Sequence, residues 1–347
     1  MNRFLFISSF IFILSCSESG VPGYSLPEEC GGKCFQANDT NSFYDALINS
    51  SAAFANCICL GEGIFDGKIR VGKPLRVIGR NDGKTYLKNL VISDARDVLL
   101  KDFSFKGVSA EESTLYISGS NVTIENLSFY DISAASLAGG RGIVVSGRES
   151  DVRIKNSKIE KTDGTGLLVN GVHRISLENV SVSKCGFAGV WVQNQSEKRG
   201  SLIVENSDFS ENSAVALEIL GNTSLKIAGS TLSDIKQRIF MLESVGDGIV
   251  VKNPYLSENS SVVVEDTFIS DFARAGIILD GENGSLPAGA DLKNVSIFSD
   301  NGSFGLVVQD ALESASLRSG IVRNDFSESD IRQREKLFII DSFFELQ

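Results

Sequence analysis

Ten times along this chain an apolar residue stands two places before a turn residue, and another stands three places after it. The turn residues are Asp102, Asn126, Asn156, Asn179, Asn206, Gly229, Asp266, Asn294, Ser319 and Asp341. Before them come Leu100, Ile124, Ile154, Leu177, Val204, Ile227, Val264, Leu292, Leu317 and Ile339. After them come Phe105, Phe129, Ile159, Val182, Phe209, Leu232, Ile269, Ile297, Val322 and Phe344. All twenty flanking positions are apolar, although only 42% of the chain is hydrophobic. Self-similarity with a period of a few tens of residues is the mark of a solenoid.

Successive turn residues are 24, 30, 23, 27, 23, 37, 28, 25 and 22 residues apart, so a unit needs about 22 and the excess is loop. Around each turn the residues alternate, as in Val122-Thr123-Ile124-Glu125 before Asn126 and Leu127-Ser128-Phe129 after it. Period-two alternation means half-buried strand. No helical period falls between copies. A third strand follows, often opened by glycine: Gly142-Ile-Val-Val, Gly166-Leu-Leu-Val, Gly189-Val-Trp-Val, Gly276-Ile-Ile-Leu and Gly305-Leu-Val-Val, with Ala216-Leu-Glu-Ile and Arg238-Ile-Phe-Met in the same slot. Three short strands per unit predict a triangular coil. Stacking coils about 4.8 Å apart gives a rod on the order of 50 Å long. The fold class is therefore all-β: a right-handed parallel β-helix of about ten coils. Asn and Asp suit the turns because they tolerate left-handed backbone angles and bond their own backbone. Stacked Asn side chains can also bond one another. The Asn-x-Ser/Thr matches at Asn121, Asn126, Asn179 and Asn294 follow from that turn chemistry.

The repeats, with the opening segment Cys59-Leu-Gly-Glu-Gly-Ile-Phe-Asp-Gly-Lys-Ile-Arg-Val-Gly-Lys-Pro-Leu-Arg-Val-Ile-Gly79, resemble the pectin-lyase-like right-handed β-helix proteins over residues 40–347. The resemblance implies the fold. For activity it implies either a polysaccharide lyase, hydrolase or epimerase, or a binding or structural member. The chain departs from the catalytic members: it has no Asp-Pro-His-Asp and no Asp-Asp. Its single histidine, His173, precedes a strand and is expected at the surface. No catalytic residue is assigned, and the reading leans away from an enzyme.

Residues 1–15 read as a signal peptide, with Arg3 before an apolar run from Phe4 to Leu14 that is too short to span a bilayer. Ile13-Leu14-Ser15-Cys16 resembles a bacterial lipobox, which implies cleavage before Cys16, lipidation of its thiol and a membrane anchor. Ser17, rather than aspartate, implies by the same resemblance the outer membrane or cell surface. Residues 16–29 form a tether, 30–64 an N-terminal cap and 65–347 the β-helix. The net charge of −11 and the absence of a basic stripe argue against nucleic acid as a partner. In an exported chain Cys30, Cys34, Cys57 and Cys59 are disulfide candidates, each of the last two pairing with one of the first two. Two connectivities stay open, and a Cys₄ zinc site is the alternative. Cys185 is left over as a thiol. Ser42-Phe43-Tyr44-Asp45 reads as a capping box opening a helix over 42–53, which would plug the barrel. At the far end, residues 338–346 are expected to make a tenth coil with no cap of its own.

Two clusters are candidate sites. Five places after the turn residues stand Asp131, Lys161, Lys184, Glu211, Asp234 and Asp271. Glu211, Asp234 and Asp271 on successive coils could share a Ca²⁺, the one cofactor the sequence suggests. The second cluster is the outward face of the third strand. Glu218 fixes its parity, since the opposite parity would bury that carboxylate. The outward residues are then Val144, Leu168, Trp191, Glu218, Phe240, Ile278 and Val307, bordered by Asn170, Gln193, Asn194, Asp280 and Gln309. An exposed apolar stripe of this kind implies an occupant: a folded-over insertion, a protein partner, or a glycan stacked on Trp191. The ligand face is read as Leu168, Trp191, Gln193, Glu218, Phe240 and Ile278.

Overall fold

The computed structural model describes residues 28–31, 33–50, 56–80, 82–107, 109–110, 113–134, 139–240, 243–252, 261–280, 289–300, 304–309 and 338–340. The leader, Cys16 and the turn residues Ser319 and Asp341 lie outside the described residues.

The chain winds into an all-parallel solenoid of about nine turns. Each strand pairs with its counterpart one coil on. First strands run Asn121–Glu125, Ser150–Lys155, His173–Glu178 and Gly200–Glu205. Second strands run Ser128–Ala134, Lys158–Thr162, Ser181–Ser183 and Asp208–Ser210. Third strands run Arg141–Ser146, Leu167–Asn170, Ala188–Asn194 and Val215–Gly221. The register is the one the repeat predicts, with Ile124, Ile154, Leu177 and Val204 in one column. Every flanking residue from Leu100 and Phe105 to Leu292 and Ile297 is at most 7% exposed. Phe105 and Phe129 stack with ring centroids 4.7 Å apart, which matches the spacing of paired strands.

The turn residues take up the expected left-handed backbone. Asp102, Asn126, Asn156, Asn179, Asn206, Asp266 and Asn294 have φ between 46° and 61°. Their side chains bond along the rod, as in Asn179 Nδ2 donating to Asn156 Oδ1 at 3.2 Å. One place later a buried serine ladder runs inside the turn: the N–H of Val180 donates to Ser207 Oγ, and that of Ser207 to Ser230 Oγ, both at 3.1 Å.

The column five places on proves to be a second left-handed turn. Asp131, Lys161, Lys184, Glu211, Asp234 and Asp271 have φ between 51° and 57°. Backbone geometry, not charge, defines these positions.

Glycine opens the third strand because of crowding. A Cβ on Gly166 would stand 2.7 Å from the Gly189 carbonyl oxygen and 2.8 Å from a methyl of Val182.

The cap differs in detail from the expected one. Its helix runs Thr40–Asn49, one turn-half earlier, with Asp39 as N-cap. Ser42 donates its N–H to Asp39 Oδ1 at 2.7 Å and accepts from the Asp39 N–H at 3.0 Å, so the box closes between Asp39 and Ser42. Phe43 plugs the barrel edge-on to Phe65, with ring centroids 5.8 Å apart. The cysteines resolve into Cys30–Cys57 and Cys34–Cys59. The structure pairs these thiols as disulfides, while the sulfurs of Cys30, Cys57 and Cys59 lie close enough together to be metal ligands were they reduced.

Two strands sit elsewhere than the sequence implies. Arg238–Phe240 is not a third strand. It forms an antiparallel hairpin with Glu243–Val245, and Ile239, expected in the core, is 76% exposed. The coil's third strand is Asp247–Lys252, which pairs with Val215–Gly221 on one side and Ala275–Asp280 on the other. Phe338–Ile340 pairs with Phe304–Gln309 and so continues the third-strand column, not the first.

Candidate functional site

The structure corrects one further expectation before the site itself can be drawn. His173 is buried, 2% exposed. Its Nδ1 accepts from the Ser150 N–H at 3.1 Å and its Nε2 lies 2.8 Å from the Asn170 carbonyl oxygen. It braces one coil against the next, and burial holds its pKa below the usual imidazole range.

The acidic column offers no gathered carboxylates. Glu211 lies between Lys184 and Lys236, at 3.5 and 3.4 Å. Among the described residues, the groups with three close ligand atoms do not include Glu211, Asp234 or Asp271. The three share a turn geometry in their backbones, and the side chain of Glu211 answers the lysines beside it.

On the third strand the parity inferred from Glu218 holds. The outward column reads Tyr116, Val144, Leu168, Trp191, Glu218, Val250, Ile278 and Val307 in continuous register. Val250 takes the place expected for Phe240, whose side chain lies outside the described residues. The apolar members are not open to water: Val144, Leu168, Val250, Ile278 and Val307 are 3 to 7% exposed. Val250, Ile278 and Val307 belong to a satellite core with Ala188, Val215 and Ala275, against which Phe187, Trp191 and Phe304 pack. The long apolar docking stripe therefore reduces to its middle.

That middle is Trp191 and Glu218. Trp191 is half-buried and packs on Phe187, ring centroids 5.0 Å apart. The Arg238 guanidinium of the hairpin stands 5.5 Å over the Phe187 ring. The indole Nε1 of Trp191 is buried with no hydrogen-bond partner, and so is Oδ1 of Asn170, one coil below on the bordering column. A buried polar atom without a partner costs on the order of 1–3 kcal/mol.

The sequence singled out Glu218 but not its charged neighbours Asp247 and Arg274. Asp247 is 1% exposed, holds the Arg274 guanidinium through both carboxylate oxygens, and accepts the Ala275 N–H at 3.2 Å. Glu218 has no ion pair among the described residues. Burial holds its carboxyl above the usual carboxylate range. Lys252 and Arg274 oppose this through space, and Asp247 adds to it. A carboxyl whose folded pKa is raised stabilises the fold fully below its unfolded pKa, and that stability is lost as pH rises through the folded value. Glu218→Gln should therefore raise the Tm at neutral pH and lessen the fall in Tm as pH rises above the ordinary carboxylate range. An unchanged pH profile would place Glu218 in ordinary solvent.

Comparison with known proteins agrees with the fold. Residues 80–253 and 141–313 match the family described as a right-handed β-helix region. No curated protein sequence matches the chain significantly. Among solved structures, the chain is similar to an alginate lyase from Paenibacillus sp. str. FPU-7, with a TM-score of 0.57 and 13% identity over 78% of this chain and 98% of that one. It is also similar to the A-module of a mannuronan C-5 epimerase from Azotobacter vinelandii, with a TM-score of 0.49 and 13% identity over 89% and 92%. A surface adhesin of Streptococcus pneumoniae gives a TM-score of 0.46 and 12% identity over 78% and 90%. At such identities the likeness speaks for the fold alone, and with the family match it places this chain among the right-handed β-helix proteins.

Proposed function

We propose that this chain is a surface-tethered, non-catalytic β-helix lipoprotein that holds a carbohydrate on its third-strand face at Trp191. One observation carries the choice of glycan over protein. The apolar residues that would have docked a protein are buried, and what remains is one half-buried aromatic ring with Gln193 and Glu218 around it. Aromatic rings with a few fixed polar groups are a general recipe for holding small polar ligands. Gln193, in register with Asn170, extends the polar border.

Trp191→Ala should weaken glycan binding by on the order of 2 kcal/mol, as loss of an aromatic anchor does. The fold should remain, because the side chain points away from the barrel core. The measurement is titration calorimetry of the full chain with uncharged oligosaccharides. A variant that loses thermal stability and no affinity would make Trp191 a packing residue only.

A second reading rests on the gathering of Glu218, Asp247, Arg274 and Lys252: a polysaccharide-active enzyme. Carboxylates in unlike environments are the raw material of acid–base chemistry. Release of shortened products in the same titrations would favour it over simple binding.

The tether follows from the leader. Cys16→Ala should abolish lipid labelling in a bacterial host and move the protein from the membrane to the soluble fraction. A wild-type protein that is already soluble, with a mature N-terminus other than Cys16, would overturn the anchor.

A further inference from the structure

We propose that the cap end of the rod docks on the membrane surface, against phosphate-bearing lipid headgroups. The proposal rests on the tether reading above and adds a second membrane contact to it, far from Trp191. Three large apolar side chains stand exposed at this one end: Tyr44 at 38%, Ile48 at 79% and Ile64 at 62%. The barrel does not need them there. The cap helix Thr40–Asn49 buries Phe43 and Ala46 in the plug. Tyr44 and Ile48, four residues apart, lie side by side away from that buried face. The Tyr44 hydroxyl donates to the Lys68 carbonyl oxygen at 3.3 Å, which ties this side of the helix to the strand Gly63–Val71. Ile64 stands near the start of that strand, in register with Tyr86 of the next coil. Further along it, Lys68 and Arg70 flank the buried Ile69 and are exposed, so both project outward. Neither has an ion pair among the described residues.

Apolar and aromatic side chains beside unpaired cations suit a membrane interface. The apolar groups enter the headgroup boundary and the cations meet its phosphates. The charge along the chain favours the same end. Residues 28–107 carry 11 Lys and Arg against 10 Asp and Glu, whereas residues 108–347 carry 21 against 33. An anionic surface repels the second stretch and not the first, so it sets the rod down by its cap. The anchor acts in the same sense. Twelve residues separate Cys16 from Glu28. Whatever their path, they reach no more than about 40 Å, so the cap is the part held near lipid.

The test uses the lipidated protein on vesicles of phosphatidylethanolamine and phosphatidylglycerol with brominated acyl chains as quencher. In a Trp191→Phe background, which removes the native indole, Ile48→Trp, Ile64→Trp and Ile239→Trp each supply one reporter. Ile239 is as exposed as Ile48, at 76%, but its hairpin leaves the rod seven coils on from Ile64, about 34 Å away. Emission from Ile48→Trp and Ile64→Trp should shift to the blue and be quenched, while Ile239→Trp should emit as in buffer. Each basic side chain at an anionic surface shifts the docked-to-undocked ratio about fivefold, so Lys68→Gln with Arg70→Gln should lower it about thirtyfold and release the quenching at residue 48. Lys226→Gln with Lys293→Gln makes the same charge change on exposed residues far from the cap and should leave the quenching as it was. Vesicle-bound protein with no quenching at residues 48 and 64, or with equal quenching at all three positions, overturns the proposal and leaves the anchor standing. Quenching that survives Lys68→Gln with Arg70→Gln overturns it as well. Protein that carries no lipid and leaves the vesicles overturns the anchor, and the proposal with it.

Discussion

Phe209→Ala is expected to lower the unfolding free energy by roughly 3–5 kcal/mol. Phe209 is fully buried in the second-strand column, with Val182 below it and Leu232 above. Truncation removes a large apolar surface and leaves a hole between those neighbours. Strands fixed by parallel ladders on both sides cannot collapse to fill it. In a solenoid each coil touches only its neighbours, so the loss is concentrated at two interfaces. Exchange of backbone amides should therefore quicken first in Ser181–Ser183, Asp208–Ser210 and Thr231–Ser233. Denaturant titration gives the total. A cost below about 1 kcal/mol would mean the side chain is not in the core column. Ile203→Ala is the contrast: Ile203 faces outward and is 37% exposed, so its truncation leaves no cavity.

That contrast shows why the fold was legible in the sequence. Inside the barrel each coil imposes the same demand at the same place, so the demand repeats and is visible as a column. The left-handed turns were legible for the same reason, since Asn and Asp recur where the backbone needs them. The second turn was missed because lysine and glutamate share its column with aspartate, and their charges suggested chemistry instead of a backbone angle.

The site was legible only in outline. Parity and Glu218 placed Trp191 correctly. Arg238-Ile239-Phe240-Met241 had the alternation of a third strand, and alternation cannot tell a coil strand from a hairpin on an insertion. The stronger signal was Gly248-Ile249-Val250-Val251, since glycine is forced where coils pack too closely for a Cβ: on Gly248 it would lie 2.5 Å from the Gly276 carbonyl oxygen. That the outward stripe is covered was one of three readings left open, and the repeat could not choose among them. Coverage depends on which side chains fold across a face, and periodicity is silent about that. His173 failed likewise: position before a strand says nothing of the pocket formed by Ser150 one coil away and the Asn170 carbonyl three residues back.

The second large effect belongs to the cap. Cys57 and Cys59 sit on the buried strand Cys57–Leu60, whose other residues, Ile58 and Leu60, face the core. The two cysteines therefore face outward, toward the segment carrying Cys30 and Cys34, and each bridge closes a loop of 27 or 25 residues. A cross-link closing a loop of this size stabilises by about 2–4 kcal/mol, mainly by restricting the unfolded chain. The loops overlap, so removing both should cost less than twice that. Cys34→Ser with Cys59→Ser should destabilise by about 2–4 kcal/mol. The loss should concentrate at the N-terminal end, because the core column below it keeps its own contacts. Limited proteolysis should then cut first within residues 28–60. Cys185 will not scramble the pairing, since burial raises its thiol pKa to about 11 and leaves almost no thiolate to attack. A non-reducing peptide map should return Cys30 with Cys57 and Cys34 with Cys59. The crossed pairing, or free thiols at all four positions in protein from an oxidising compartment, would refute this account of the cap.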